Sequence, residues 1–209
     1  MLYRVINTAY ATIYVWHITE TSSELSALLS PYKELALFDI EETQKTKLWH
    51  HTHFLSTRLM LYKYAKLHAP IFKDEFGKPM HEGRRISITH SNNYAAVIVS
   101  DKKQVALDLE KIDPRIIRVA HKFLHSEENF FNPLEQEIYL TLIWSAKETM
   151  YKLYSRNEVI FKDELRISPF KYQEQGSFRG DILKSPEIFN VTIEYLSLGD
   201  YILTWHIQN

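Results

Sequence analysis

The order of apolar and polar positions predicts alternating strands and helices in the first half of the chain. The alternating, β-branched stretch TIYVWHI at residues 12–18 is typical of a strand. Thr21 and the two serines after it are N-cap candidates for a short helix ending at Pro31, and a helical pattern runs from about residue 33 to 68. Turn residues fill positions 74–79. Strands are then predicted at residues 85–89, 94–100 and 104–110.

The second half of the chain repeats this order of elements. A helical pattern follows Pro114 and runs through Phe123, and another covers residues 134–155. Strands are predicted near residues 161–167, 178–182, 191–196 and 201–207. We therefore expect an α+β fold of two similar lobes, residues 1–102 and 103–209.

Two acids share one face of a predicted strand. In VALDLE, residues 105–110, strand alternation places Asp108 and Glu110 on the side opposite Leu107 and Leu109. Two such carboxylates lie roughly 6–7 Å apart along the strand, a spacing that suits two ligands of one cation. Oxygen ligands favour Mg²⁺ or Mn²⁺ over zinc. The alternative is an exposed face that carries ordinary solvated acids.

The helix at residues 134–155 is apolar around most of its circumference. At about 100° per residue, only a narrow strip of Thr141, Ser145, Glu148 and Lys152 remains polar. A mostly apolar helix is normally buried, so we expect this strip to face a cleft. A surface ion pair between Glu148 and Lys152 is the alternative. Lys147 falls outside the strip and is predicted to extend its ammonium group to solvent.

Composition excludes several classes of function. The chain has 25 Lys and Arg against 26 Asp and Glu, which argues against a general nucleic-acid-binding surface. It has no cysteine, which excludes disulfides, thiolate catalysis and cysteine-bound zinc. With no leader pattern and no apolar run of membrane-spanning length, a cytoplasmic protein without membrane attachment is expected.

Several motifs together resemble those of the Sfp-type 4′-phosphopantetheinyl transferases. The two signature motifs are matched by VALDLE at residues 105–110 and by WSAKETMYK at 144–152. Further agreement comes from GKP at 77–79, ISITHS at 86–91 and AHKFLHSEE at 120–128. Motifs in the correct order over about residues 45–155 are a specific signal, whereas one short motif is not.

The sequence departs from the family pattern at three positions. Ala106 replaces a glycine, Thr89 replaces a serine, and Thr149 replaces a serine or alanine. Glycine at position 106 allows close approach of the backbone to a cofactor, and the small alanine side chain is expected to preserve activity.

The resemblance implies two lobes in pseudo-two-fold arrangement, with coenzyme A in the cleft between them. It implies Asp108, Glu110 and Glu148 as ligands of Mg²⁺, or of Mn²⁺. Asp108 is also a cofactor-binding residue, through the cation and the coenzyme's pyrophosphate. Glu148 is the implied catalytic base, acting directly or through water, and Lys152 is the implied catalytic cation. The expected reaction transfers 4′-phosphopantetheine to a serine of an apo acyl or peptidyl carrier protein and releases 3′,5′-ADP.

Further residues match the side of the family's site that holds the nucleotide end of coenzyme A. The resemblance implies that Lys78 and Pro79 hold the adenine and that His90 reaches the 3′-phosphate. Lys47 is our choice for a second 3′-phosphate contact, with Lys45 nearly as good. Arg58 matches a recurrent family arginine whose role we leave undecided.

The carrier protein is expected to meet a basic and apolar stretch after the acidic strand, which includes Arg115, Ile116, Ile117, Arg118 and Lys122. Carrier proteins of this class present an acidic helix, so complementary charge would steer the encounter. An ordinary amphipathic helix is the alternative. The family comparison also favours a monomer, because a duplicated lobe supplies the interface that single-lobe relatives make by trimerising.

Other functions stay open at this point. One is a metal-dependent phosphohydrolase on the same acids, and another is a non-catalytic module that binds coenzyme A or a carrier. A metal cluster of His50, His51 and His53 is a weaker candidate, because carboxylate support is lacking.

Overall fold

The computed structural model describes residues 1–38, 40–49, 51–155, 159–184 and 186–208. The chain divides into two compact units, Met1–Val105 and Ala106–Gln208. Each unit has a hydrophobic core of its own and a main sheet with helices. The α+β class predicted from the hydrophobic pattern is therefore confirmed.

The first unit combines an antiparallel sheet with helices from the middle of its sequence. Its strands are β1 (Leu2–Asn7), β2 (Thr12–His17), β3 (Ile71–Lys73), β4 (Pro79–His81), β5 (Arg85–Ser91) and β6 (Tyr94–Ser100). Its helices are α1 (Ser22–Leu29), α2 (Lys33–Ala36), α3 (Glu42–Trp49) and α4 (Thr52–Leu59), which continues into a π-helical segment, Met60–Tyr64. The main sheet has the order β1-β2-β6-β5, and β3 pairs with β4.

Apolar side chains from several helices and strands form the core of this unit. Members of one buried cluster include Leu25, Leu29, Leu55, Leu59, Ile86 and Val97. The predicted cap of α1 is confirmed: Thr21 accepts a hydrogen bond from the Glu24 backbone N–H, and the Glu24 carboxylate accepts one from the Thr21 N–H.

The second unit places one long helix against a five-stranded sheet. Its strands are β7 (Val105–Lys111), β8 (Leu165–Ile167), β9 (Gln175–Lys184), β10 (Glu187–Ser197) and β11 (Tyr201–Ile207), in the order β7-β11-β10-β9-β8. Its helices are α5 (Arg115–Val119), α6 (Gln136–Tyr154) and α7 (Phe161–Glu164). Leu142, Ala146 and Met150 of α6 share a buried cluster with Ile182, Ile193 and Ile202 of the sheet.

Three expectations from the pattern need correction. The continuous helix over residues 33–68 is instead several shorter helices, and His51 is extended (φ −98°, ψ 110°) where α4 begins. The pattern missed β1, whose mostly exposed residues lack apolar alternation. Residues 161–164 are helical because the Glu164 carboxylate accepts a hydrogen bond from the Ile160 N–H at 2.7 Å and closes the turn.

Among the helices of the described residues, none has both the length and the apolar character of a membrane span.

Candidate functional site

Helix α6 lies against the acidic strand β7. The Asp108 side chain is buried, and each of its carboxylate oxygens accepts a hydrogen bond from α6. Ser145 Oγ donates to Oδ2 at 2.9 Å, and Lys152 Nζ donates to Oδ1 at 2.7 Å. Lys152 also donates to the Leu107 carbonyl at 3.2 Å. Residues of one helix face therefore hold the carboxylate by both oxygens.

The second acid of the strand is held by the tryptophan of the same helix. Trp144 Nε1 donates to Glu110 Oε1 at 3.0 Å. Both Asp108 and Glu110 thus contact α6, as strand alternation predicts.

Glu148 lies half-buried close enough to both acids for their charges to interact. Burial of the carboxylate and the charge of Asp108 raise the pKa of Glu148 to about 7, and Glu110 adds to the shift while Lys152 opposes it. Lys152 forms its ion pair with Asp108 and not with Glu148, the partner in the alternative interpretation.

These three acids fit a divalent cation in donor type and in charge. Carboxylate oxygens are the ligands that Mg²⁺ and Mn²⁺ prefer. Burial is the main cause of the raised pKa of Glu148, and the negative charges of Asp108 and Glu110 add to it. In the described ranges, no group of three or more His, Asp or Glu side chains is arranged to hold a metal ion. Lys152 Nζ already lies 2.7 Å from Asp108 Oδ1. Side-chain movement would therefore be needed to bring the three acids onto one ion.

Buried hydroxyl groups lie behind Asp108. The side chains of Ser145, Thr149 and Thr204 are fully buried. Thr204 Oγ1 lies 2.9 Å from Ser145 Oγ and 2.7 Å from Thr149 Oγ1. A buried hydroxyl needs a partner to offset its loss of hydration, and these three groups supply partners to one another.

A buried ion pair anchors the residue just before Glu148. Lys147 Nζ donates to Glu128 Oε2 at 2.7 Å and to the carbonyl oxygens of Phe123 and Phe161 at 2.6 and 3.1 Å. Its side chain is 0% exposed. The expectation that Lys147 reaches solvent is therefore wrong, because a partner 19 residues earlier in the chain meets it inside the unit.

In the first unit, a tight turn between β3 and β4 positions Lys78 and Pro79. The Asp74 carboxylate accepts hydrogen bonds from the backbone N–H groups of Phe76 and Lys78 at 2.9 and 2.8 Å. Gly77 has φ +80°, a conformation that glycine adopts without strain. Burial lowers the pKa of the Lys78 ammonium.

His90 extends from the end of β5 and is exposed. Its ring stacks on that of His53 with centroids 4.3 Å apart, and His53 Nε2 lies 2.5 Å from the Asn92 carbonyl oxygen. The His51 ring is 5.3 Å from the His53 ring. His50, the third member of the weaker metal candidate, lies outside the described residues.

The two lysines considered for the 3′-phosphate differ in their surroundings. Lys47 on α3 is exposed. Lys45, on the same helix, lines a cavity of about 570 Å³ together with Lys33 and Trp49. The Lys33 ammonium lies 5.4 Å from the centroid of the Trp49 ring.

Arg58 brings a positive charge into the first unit. Its guanidinium lies over the Phe54 ring, 4.9 Å from the centroid, and burial lowers its pKa. Arg58 Nε is buried and, among the described residues, has no hydrogen-bond partner. Such a group is suited to an anion.

Residues 104–205 match the family model of the 4′-phosphopantetheinyl transferase superfamily. The family match supports transferase activity and phosphopantetheine transfer in general, with coenzyme A and a carrier protein as the partners that the family implies. No curated protein matches the chain.

The transferase match includes the acids, cations and hydroxyls of the second unit. Asp108, Glu110, Glu148 and Lys152 all fall within residues 104–205. Lys47, Lys78, Pro79 and His90 lie outside it, so their roles are proposals.

Sequence reasoning missed two kinds of residue in the second unit. The polar strip of the helix includes Ser145 without indicating a role for it, and the strand pattern of YILTWHI indicates none for Thr204. The only available signal is the small polar side chain of Thr204 between Leu203 and Trp205. The pairing of Glu128 with Lys147 had no such signal, because the two residues are brought together only by folding.

Proposed function

We propose that this protein is an Sfp-type 4′-phosphopantetheinyl transferase. It transfers the 4′-phosphopantetheine group from coenzyme A to a serine of an apo acyl or peptidyl carrier protein and releases 3′,5′-ADP. The observation that carries the proposal is the contact of Asp108 and Glu110 with helix α6, which carries Glu148 and Lys152, inside the segment that matches the family.

Asp108, Glu110 and Glu148 are the residues that would hold Mg²⁺, or Mn²⁺ in its place. When bound, the ion supplies positive charge that neutralises the pyrophosphate of coenzyme A. Phosphoryl transfer depends on positioning and charge stabilisation more than on covalent help from the protein. Three carboxylates and one divalent ion together keep about one net negative charge, so a nearby cation is also needed.

Lys152 is that cation. Its ammonium donates a hydrogen bond to Asp108 Oδ1 at 2.7 Å. Its place one helical turn from Glu148 allows it to turn toward a phosphate oxygen and stabilise the charge that develops there.

Glu148 receives the proton of the carrier serine. As the serine Oγ–P bond forms, the bond from phosphorus to the oxygen of 3′,5′-ADP breaks, and the serine proton must leave Oγ. A pKa of about 7 suits proton transfer near neutral pH, but a bound cation would lower that pKa. A water molecule between the serine and Glu148 is therefore the favoured route, with direct transfer as the alternative.

Residues of the first unit bind the nucleotide end of coenzyme A in this proposal. Lys78 and Pro79 hold the adenine, and His90 and Lys47 contact the 3′-phosphate. Lys45 is the alternative to Lys47 and is the lysine that lines a cavity. Arg58 is added as an anion-binding group because its buried Nε is unpaired within the described residues.

The carrier protein docks on α5 and the residues that follow it. Ile117 and Val119 are 40% and 39% exposed, and Arg118 is exposed beside them. Arg115 is bonded to Asp113 through its Nε at 2.9 Å and its Nη2 at 2.7 Å. Arg118 and Lys122 are thus the stronger candidates to attract an acidic helix.

The test is a panel of apo carrier proteins incubated with coenzyme A and Mg²⁺ and followed by intact-protein mass. We expect one carrier at least to gain a single phosphopantetheine group, with 3′,5′-ADP in equal amount. Breakdown of coenzyme A without a gain in carrier mass would indicate a phosphohydrolase. Binding of coenzyme A without either product would indicate a non-catalytic module.

Addition of Mg²⁺ is expected to stabilise the protein more at pH 8 than at pH 6. The pKa of Glu148 is raised to about 7 in the folded protein, above its value in the unfolded chain. Between these two pKa values, and without Mg²⁺, the folded protein binds a proton that the unfolded chain has released. The stabilising effect of that proton is lost as pH rises through 7. Below 7 the proton competes with the cation, and above 7 it does not.

Thermal unfolding with Mg²⁺ and with EDTA at both pH values measures this difference. Glu148→Gln, which cannot titrate, should remove most of it. An equal Mg²⁺ effect at pH 6 and pH 8 in the natural protein would contradict the assignment of Glu148 as a ligand.

A further inference from the structure

The hydroxyls of Ser145, Thr149 and Thr204 form one hydrogen-bonded set behind Asp108, which we name the hydroxyl network. All three side chains are 0% exposed. The network begins on α6 at Thr149, crosses to Thr204 on β11, and returns to Ser145 on α6. From Ser145 it reaches Asp108 Oδ2 at 2.9 Å.

The charge of Asp108 fixes the direction of these hydrogen bonds. An ionised carboxylate only accepts, so the Ser145 hydroxyl must donate to it. Ser145 then has no second proton for Thr204. The Thr204 hydroxyl is then the donor in its 2.9 Å contact with Ser145 Oγ, and the Ser145 carbonyl oxygen, 3.0 Å away, is a second acceptor for the same proton. Thr204 Oγ1 accepts from Thr149 at 2.7 Å. Each hydroxyl can therefore donate to the next one toward Asp108, and the carbonyl oxygens of Ser145 and Thr204 lie within reach as further acceptors.

Without this network, the Ser145 hydroxyl would have other options. A serine within a helix readily donates to the carbonyl of the residue four positions earlier, and that bond would turn its proton away from Asp108. A Thr204 hydroxyl that donates to Ser145 Oγ at 2.9 Å helps to hold that oxygen beside Asp108. Lys152 holds the other oxygen of Asp108 at 2.7 Å, so the plane of the carboxylate is set by contacts at both ends.

We infer that Ser145 and Thr204 are positioning residues, which orient Asp108 for a divalent cation through the hydroxyl network. This inference rests on the proposed function, which makes Asp108 a cation ligand. Loss of a group that holds a metal ligand by a hydrogen bond typically lowers the affinity for the metal by about 10- to 100-fold. Thr149 lies at the far end, and its loss should have the smallest effect on Asp108.

The experiment is direct titration of the full-length protein with Mn²⁺, followed by electron paramagnetic resonance of the free ion. Ser145→Ala removes the donor to Asp108, and Thr204→Val removes the hydroxyl that holds Ser145 while keeping the side-chain shape. We expect the Mn²⁺ dissociation constant to rise about 10-fold or more for Ser145→Ala and by a smaller factor for Thr204→Val. The KM for Mg²⁺ should rise in parallel, with kcat at saturating Mg²⁺ less affected.

Thr141→Val is the matched control. Thr141 is a buried threonine of the same helix, and its hydroxyl donates to the Glu137 carbonyl at 2.7 Å, away from the network. Its Mn²⁺ affinity should stay within about twofold of the natural protein, since an isolated buried hydroxyl contributes to stability and not to the orientation of Asp108. Thermal unfolding of all variants separates weaker binding from poorer folding.

The outcomes separate this inference from the proposed function. If Ser145→Ala and Thr204→Val bind Mn²⁺ as the natural protein does, or if Thr141→Val weakens binding equally, the inference is overturned even when carrier modification is observed. If both variants weaken Mn²⁺ binding but no carrier is ever modified, the inference stands and the proposed transfer falls. Absence of Mn²⁺ binding by the natural protein overturns this inference together with the proposed metal ligands. Should Ser145→Ala not fold, Thr204→Val alone decides the matter.

Discussion

Replacement of Glu148 by glutamine is expected to lower phosphopantetheine transfer by about 10²- to 10⁴-fold, the range found when a group that moves a proton in the transition state is lost. Glutamine keeps the length and shape of the side chain but cannot accept a proton as a carboxylate does, and it is a weaker cation ligand. The change also removes one of the charges that couple Glu148 to Asp108 and Glu110. The measurement is the initial rate of carrier modification at saturating coenzyme A and Mg²⁺.

Glu137→Gln is the control for this variant. Glu137 is an acid in the first turn of the same helix, about three turns before Glu148, and it has no part in the proposed site. Its transfer rate should match that of the natural protein. A Glu148→Gln protein that modifies its carrier at the natural rate would refute the catalytic assignment, whatever its effect on cation binding.

The arrangement of the second unit's acids was predictable because two simple periodicities determine it. Strand alternation places Asp108 and Glu110 on one face, and the 3.6-residue helical period places Ser145, Glu148 and Lys152 on another. The two faces then had only to be brought together. Because α6 is apolar around most of its circumference, it must be buried against the sheet that contains the acidic strand. The predicted bounds of this helix, 134–155, differ from the observed Gln136–Tyr154 by only a few residues.

Periodicity could not predict partners that are distant in sequence. A helical wheel assigns Lys147 to the outside of the polar strip, but Glu128 lies in a separate turn that folds over α6. Thr204 was hidden in the same way, because nothing local to YILTWHI indicates that a serine 59 residues earlier lies opposite it. These contacts depend on the packing of elements, which the pattern of one sequence does not specify.

Short helices and edge strands were the other failures, and they share a cause. Strand β1 pairs with β2 along its length, yet most of its side chains are exposed, so its apolar pattern is weak. Helix α7 spans one turn and forms through the contact of Glu164 with the Ile160 N–H. In both segments backbone and local polar contacts determine the structure, and hydrophobic burial contributes little.

Replacement of Lys147 by methionine is expected to destabilise the protein by about 3–5 kcal/mol, the cost of breaking a buried ion pair from one side. Methionine preserves most of the side-chain volume but leaves the Glu128 carboxylate buried without its cation. The carbonyl oxygens of Phe123 and Phe161 lose a donor at the same time. Urea unfolding at constant m-value measures the change in the free energy of unfolding.

A double variant, Glu128→Leu with Lys147→Met, shows whether the stranded charge is the cause. Its destabilisation should be well below the sum of the two single variants, because no charge is then left buried. It should not reach zero, since Glu128 also accepts hydrogen bonds from the backbone N–H groups of His125 and Ile167 at 2.7 and 2.8 Å. Arg179→Met, which breaks an exposed ion pair with Asp181, should change stability little. Full additivity of the two single changes would mean that Lys147 and Glu128 stabilise the unit independently, through their separate backbone contacts. Lys147 directly precedes Glu148. Additivity would therefore also mean that the ion pair of Lys147 with Glu128 does not fix the position of Glu148.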